Sequence, residues 1–233
     1  MMKNLLLFLF LTFYISSKSQ SISVIKDSVL INSSYFLIEE LKIDLKDEFI
    51  KNKIYNTTQS AFDIFNISHS KSPEQRIRMK KDTITSYLQQ NHLREENVGF
   101  EHFEIYYYNK NNILNLSISI QSYGSAFESI QYFCFDLVNG NNIGKELFTN
   151  QKRLLEEVKV KLNLENQDLK ISLNDLMNYK IISVQDNSII GIDFILFDTE
   201  NYRNGGYEEF VIHFSSNEIK KYISPNYCKK LSF

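Results

Sequence analysis

An α+β fold, an antiparallel β-sheet with helices packed mainly on one face, is predicted by three features of this 233-residue sequence. From Ile113 to Gln121, apolar Leu114, Leu116, Ile118 and Ile120 alternate with Asn115, Ser117, Ser119 and Gln121, the period of a strand with one buried and one wet face. A second, aromatic run from Tyr132 to Leu137 ends in Asn139-Gly140, a dipeptide suited to the positive φ angles of a tight hairpin turn. Along the rest of the chain, runs of strand pattern are interrupted by helical patterns without regular strand-helix alternation, which distinguishes α+β from a doubly wound parallel sheet.

The chain opens with a segment that is not part of the fold. Residues 1–19 carry Lys3, an apolar run from Leu5 onward and then a small polar stretch, the pattern of a secretory signal peptide cleaved near Ser19 to leave Gln20 as N-terminus. The apolar run is short of the roughly 20 residues that a membrane span needs. No cysteine follows it to take a lipid anchor. The expected product is a free exported protein, periplasmic or secreted, in which residues 20–233 form one domain, because no Pro/Gly/Ser-rich linker divides them and the whole chain has only two prolines and seven glycines.

Residues 22–31 and 35–43 read as an opening hairpin turned at 32–34. Apolar residues at three- and four-residue spacing over 44–65 predict a helix, interrupted near Asn56-Thr57-Thr58. Ser72, Pro73 and Gln75 compose a capping box with proline at the first helical position, so a helix follows to about Gln90. Its basic run Arg76, Arg78, Lys80, Lys81 reads as a solvated helix face. Residues 100–108 are the next strand, 109–112 a turn, and the meander extends to Val138. Asn150 is placed to cap a helix with the stripe Leu154, Leu155, Val158 and Leu162. A short helix near 173–177, strands at 179–184 and 189–197, and a last strand marked by Phe210, Ile212 and Phe214 complete the sheet. Ser215 and Glu218 form a second capping box for a closing helix that stops before Pro225.

Charge narrows the partners. Removal of Lys3 and Lys18 leaves 24 of the 26 basic residues against 28 acidic ones, a formal charge of −4. Basic and acidic residues are interleaved, so nucleic acid, whose phosphates are held by clustered Lys and Arg, is not an expected partner. Cys134 and Cys228 are the only cysteines and form a candidate disulfide in an oxidising compartment, although Cys134 between Phe133 and Phe135 also reads as a small buried hydrophobe.

The order ILNLSI strand, YGSAF turn, aromatic strand closing in FDLVNG and then ELF before a helix resembles the extracellular domain family shared by lysozyme-sensing RsiV-type anti-sigma factors and the noncatalytic part of PdaC-type peptidoglycan deacetylases. Phe135, Asp136, Leu137 and Gly140 match the middle element, and Leu147 with Phe148 the last. The likeness covers about residues 100–223. Two departures stand in the turn: Ser125 where a second glycine is common and Phe127 where a histidine is common. The resemblance implies an exported, noncatalytic binding module of the bacterial cell envelope that recognises a protein or a cell-wall glycan.

Catalytic patterns do not compete strongly with that reading. His69, His92, His102 and His213 stand far apart and form no H-x-x-x-H, and no G-x-S-x-G occurs, so no metal, cofactor or catalytic residue is assigned. Asp193, Asp198, Glu200, Glu208 and Glu209 surround a hairpin and supply the carboxylates for an alternative, a cell-envelope hydrolase. Recognition or inhibition of lysozyme is a further alternative that the resemblance suggests. Candidate ligand-binding residues are Tyr123 and Phe127 in the central turn and Tyr202, Arg203 and Tyr207 in the late loop, where aromatic and cationic side chains bury area while keeping polar ends. In Tyr106-Tyr107-Tyr108, Tyr106 and Tyr108 are placed to stack on a sugar ring.

Overall fold

The computed structural model of the chain describes residues 21–31, 34–60, 71–90, 104–121, 128–164, 169–184, 188–197 and 209–232. It has the α+β class, and its strands lie in three antiparallel sheets of two, four and three strands.

Strands β1 (Ser21–Ile31) and β2 (Ser34–Asp44) are the expected opening hairpin, in register from Ser21 opposite Asp44 to Ile31 opposite Ser34. Helix α1 (Glu48–Ser60) is capped by Asp47, whose Oδ1 accepts the Phe49 amide at 2.9 Å and the Ile50 amide at 3.1 Å. It runs unbroken through Asn56-Thr57-Thr58, contrary to expectation. Thr57 and Thr58 donate their hydroxyls back to the Lys53 and Ile54 carbonyls, both at 3.0 Å, so these side chains are satisfied without leaving the helix. Helix α2 (Pro73–Gln90) starts at the predicted capping box, with the Gln75 amide on Ser72 Oγ at 3.2 Å and the Ser72 amide on Gln75 Oε1 at 3.0 Å. It packs against both strands of the hairpin.

The central sheet has the order β3 (Glu104–Lys110), β4 (Ile113–Gln121), β5 (Glu128–Asp136), β6 (Asn141–Asn142). Asn111 and Asn112, at φ 51° and 62°, make the two-residue turn between β3 and β4. The turn after β5 is longer than the tight form predicted. Residues 137–140 form it, the Gly140 amide donates to the Asp136 carbonyl at 2.8 Å, and only Gly140, at φ 69°, is left-handed there. A Cβ on Gly140 would also lie 3.3 Å from Ile50 on α1.

The polar face of β4 is the main departure from the sequence pattern. Asn115, Ser117 and Ser119 are buried, like Leu114, Leu116 and Ile118 on the opposite face. The apolar face meets the hairpin and α1 in a core that includes Leu41, Ile43, Ile54 and Tyr55. The polar face is covered by the third sheet, β7 (Tyr179–Ser183), β8 (Ile189–Phe197) and β9 (Glu209–Ser215). Asn115 joins the two sheets: its Oδ1 accepts the Ile181 amide at 2.7 Å, and its Nδ2 donates to the Tyr179 carbonyl at 3.2 Å and the Phe133 carbonyl at 3.0 Å. Tyr106 donates its hydroxyl to the Ile181 carbonyl at 2.5 Å. Side chains of β3 and β4 thus occupy backbone groups on the edge of β7 that would otherwise be open to another strand.

The larger core gathers Tyr179, Ile181, Ile192, Phe194, Ile212 and Phe214 with the predicted stripe Leu154, Leu155, Val158 and Leu162 of helix α3 (Gln151–Leu164). Asn150 precedes α3 in the left-handed region at φ 49°, and its carbonyl accepts the Leu154 amide at 3.0 Å. After β9 come α4 (Ser216–Ile219), a 3-10 turn Lys220–Tyr222, and α5 (Pro225–Leu231). This last helix was not expected. Pro225, read as a stop, ends one element and occupies the first turn of the next, where its missing amide hydrogen costs nothing.

The second capping box is present: the Ser215 amide and hydroxyl reach Glu218 Oε2 at 2.8 and 2.7 Å, and Lys161 Nζ reaches Glu218 Oε1 at 2.9 Å. Lys161 first, then Ser215, holds the Glu218 carboxyl at about 2 instead of its usual 4.5. A depressed folded-state value stabilises above the unfolded value and loses that contribution as pH falls toward the folded one. Acid unfolding is therefore expected to show a contribution between pH 4.5 and about 2 that Glu218→Gln flattens. The side chain is 45% exposed, so the effect is small, and an unchanged pH profile in the variant would count against it.

Candidate functional site

The turn residues Tyr123 and Phe127, with Ser125, and the loop residues Tyr202, Arg203 and Tyr207 lie outside the described residues, as do Asp198, Glu200 and Glu208. The remaining expectations fall on residues that the structure places. Tyr108 is buried and Tyr106 is half-buried with its hydroxyl engaged by β7, so neither offers a free ring face for a sugar; Tyr107 is the most exposed of the three. The basic run of α2 is not a solvated face throughout: Arg76 and Lys80 are buried on the hairpin, and both pair with Glu40.

The candidate disulfide is not formed; Cys134 and Cys228 are free thiols. Cys134 is completely buried on β5, and burial pushes its thiol up to about 12, which keeps it protonated and unreactive. Cys228 turns its Sγ back to the Ile223 carbonyl at 3.5 Å.

A groove of about 320 Å³ opens where several separate segments converge. That volume is at the low end of the roughly 300–1,000 Å³ typical of small-molecule sites. Lys110 at the end of β3 and Lys220 after α4 line it, together with the polar residues Ser188, Ser216, Asn217 and Ser232. Ile189 and Leu231 form its apolar part. The walls are tied together. Asn111 Nδ2 donates to the Lys230 carbonyl at 2.8 Å, holding the β3–β4 turn to the end of α5, and Lys230 Nζ meets Asp136 Oδ2 at 2.7 Å. The Thr149 amide donates to the Tyr222 carbonyl at 2.7 Å and the Ser224 amide to the Leu147 carbonyl at 2.8 Å, anchoring the segment that carries Lys220. Ser232 adopts a left-handed conformation at φ 59°, ending α5 beside the groove.

A second polar cluster lies on β8 and β9. Asp193 and His213 are direct cross-strand partners, with His213 Nδ1 2.6 Å from Asp193 Oδ1. Gly191 gives the imidazole its place, since a Cβ there would stand 2.5 Å from His213 Cε1 and 2.4 Å from the Phe214 carbonyl oxygen. Such a pairing fixes a histidine tautomer and leaves Nε2 for other work. Among the described residues, no three His, Cys, Asp or Glu side chains converge to hold a metal ion.

Neither Lys110 nor Lys220 carried a sequence signal. They come from a strand end and a 3-10 turn distant in the chain, and tertiary contacts, among them the docking of α5 against the β3–β4 turn, bring them to one groove.

The chain is thus an α+β domain of stacked antiparallel sheets with a polar, lysine-lined groove. No family model matches it, and no curated protein does. Among solved structures it is similar to a member of the DUF3298 family from Bacteroides fragilis, at 13% identity and a TM-score of 0.48, over 91% of this chain and 97% of that one.

Proposed function

We propose that this protein is an exported, noncatalytic binding module of the bacterial cell envelope, recognising a cell-wall component or an envelope protein. The observation that carries the reading is the groove: its polar groups come from separate elements, and cross-element hydrogen bonds outside it hold the walls in place, the preorganisation expected of a binding site. The signal-like residues 1–19 support export, and no helix among the described residues is long and apolar enough to cross a membrane. The motif order over residues 100–223 supports kinship with the RsiV/PdaC-type extracellular domains.

Co-sedimentation of residues 20–233 with purified peptidoglycan sacculi, beside a pull-down on immobilised lysozyme, tests the reading. Retention on either is the expected result and tells the two ligand classes apart. Retention on neither sacculi nor lysozyme nor any envelope extract sinks it.

The Asp193–His213 pair favours one second reading, a hydrolase in which the carboxylate orients the imidazole as a general base. On that reading Asp193→Asn lowers peptidoglycan turnover by about 10²–10⁴-fold, the usual scale for a general base. On the binding-module reading wild type and variant are equally inert.

A further inference from the structure

We infer that two copies of this chain pair antiparallel through the outer edges of their β9 strands, about a two-fold axis at Val211, joining the two third sheets into one. The inference goes beyond the binding-module reading and does not depend on it.

The two ends of the third sheet are treated differently. Its order is β7-β8-β9, so β7 and β9 are its end strands. The edge of β7 is occupied by Asn115 and Tyr106, which engage the Ile181 amide and the Tyr179 and Ile181 carbonyls. On β9 the outward groups follow from the ladder. The Ile195 amide donates to the Asn178 carbonyl at 2.8 Å, so Ile195 spends its backbone groups on the β7 side and its partner Val211 turns its own away from β8. By the same alternation Asp193 and His213 are a closely spaced pair without mutual backbone bonds, and their side chains meet at 2.6 Å. Glu209, Val211 and His213 therefore direct their amides and carbonyls outward.

One end of this edge is fenced. Lys161 Nζ reaches the His213 carbonyl at 2.8 Å, and Glu218 holds the Ser215 amide at 2.8 Å. These contacts confine strand pairing to 209–213, along which no further strand lies among the described residues. An edge of this kind is a template for another strand.

The strand that fits is β9 itself, reversed. Phe210, Ile212 and Phe214 are buried in the core, while Glu209, Val211 and His213 stand on the opposite face and are exposed, Val211 by 45%. Antiparallel pairing centred on Val211 sets Val211 of one copy against Val211 of the other, and Glu209 of each against His213 of the other. An exposed apolar side chain is covered, and an acid meets an imidazole whose Nδ1 is engaged by Asp193, leaving Nε2 for the incoming carboxylate. The Val211 amides and carbonyls bond mutually, and each His213 amide donates to the Glu209 carbonyl of the other copy. The carbonyl held by Lys161 is not needed. A slip of two residues opposes Val211 to Glu209 or His213 and loses both matches. One short strand a side is small beside the roughly 1,200 Å² at which stable interfaces begin, so the dimer is weak and forms as concentration rises.

The test is sedimentation velocity of residues 20–233 up to millimolar concentration, with amide hydrogen exchange over the same range. A reversible monomer-dimer equilibrium is expected, and exchange at the Val211 and His213 amides slows as the dimer forms. Val211→Pro removes the outward amide and leaves the β8 ladder intact, since an edge strand tolerates proline where its amide faces water. Val211→Lys sets like charges against each other at the axis, and Glu209→Lys removes the acid opposite His213. Each of the three is expected to weaken association at least tenfold, with an unchanged urea midpoint showing that the fold is retained. Val160→Lys, on the exposed side of α3, leaves association as it was. A protein that stays monomeric at millimolar concentration overturns the inference. So does association undiminished in any of the three variants, equally weakened by Val160→Lys, or formed without slower exchange at Val211. A monomer whose Val211 amide is protected at every concentration overturns it too, because another part of the chain then covers the edge.

Discussion

Arg76→Met is expected to lower folding stability by about 3–5 kcal/mol, the scale of breaking a buried ion pair from one side. Arg76 is 1% exposed and joins α2 to the hairpin through several contacts. Its Nε donates to Glu40 Oε1 at 2.9 Å, its Nη1 to the Lys71 carbonyl at 2.6 Å and its Nη2 to the Leu41 carbonyl at 3.3 Å, and the guanidinium lies 4.1 Å from the centre of the Tyr55 ring. Methionine fills similar volume but leaves Glu40, itself 2% exposed, with Lys80 as its remaining cationic partner at 2.7 Å. Lys80 is a costly substitute. Desolvation lowers its pKa and the Arg76 charge adds to that, while the charge and hydrogen bond of Glu40 oppose it.

The same linkage has a sign that can be checked. A lysine whose folded-state value is depressed binds fewer protons folded than unfolded, so stability rises with pH across the interval below the usual 10.5. Urea unfolding at neutral pH measures the Arg76→Met loss. The triple change Glu40→Leu, Arg76→Met, Lys80→Leu removes all three charges and is expected to regain most of it, since apolar replacements of buried ion networks are often neutral or better. A loss under about 1 kcal/mol in Arg76→Met would mean that the cluster is solvated in solution, the exposed-pair regime.

The second large effect is expected at Asn115. Asn115→Leu keeps the shape and removes three hydrogen bonds, leaving the Ile181 amide and the Tyr179 carbonyl between stacked sheets without this partner. At roughly 1 kcal/mol per bond, with a further penalty for a buried amide left unpaired, the loss is about 3–4 kcal/mol. Hydrogen exchange localises it: the Ile181 amide is expected to lose protection before the core of the β3–β6 sheet does. Falsification is simple, because a solvent-facing asparagine, as the strand pattern alone suggests, would tolerate leucine within about 0.5 kcal/mol.

These two residues also mark where the sequence was legible and where it was not. The capping boxes at Ser72 and Ser215 and the Leu154 to Leu162 stripe depend on neighbours within a few positions, and the structure contains each; the turn expected over 109–112 is present but narrower, since Asn109 and Lys110 still pair in β3 and only Asn111-Asn112 turn. Arg76 and Asn115 misled for one reason. Both are polar residues at positions where local periodicity points to water, and the surfaces that bury them, the opening hairpin and the β7 edge, come from distant parts of the chain. The break expected at Thr57-Thr58 and the stop expected at Pro225 failed differently. Hydroxyl-to-carbonyl bonds and an N-terminal proline position are local options that propensity alone does not separate from termination.

The groove belongs wholly to the tertiary level. Lys110, Ser188, Ser216 and Lys220 have no common spacing, and each taken alone reads as an ordinary surface residue. The α+β class, the antiparallel pairing and most element positions are legible in the residue pattern alone, because strand alternation, helical stripes, caps and turns are interactions among near neighbours. The tertiary structure decided which polar residues are buried, that the strands divide into stacked sheets, and where a ligand-sized recess opens, because burial and convergence depend on surfaces that meet only when distant segments dock.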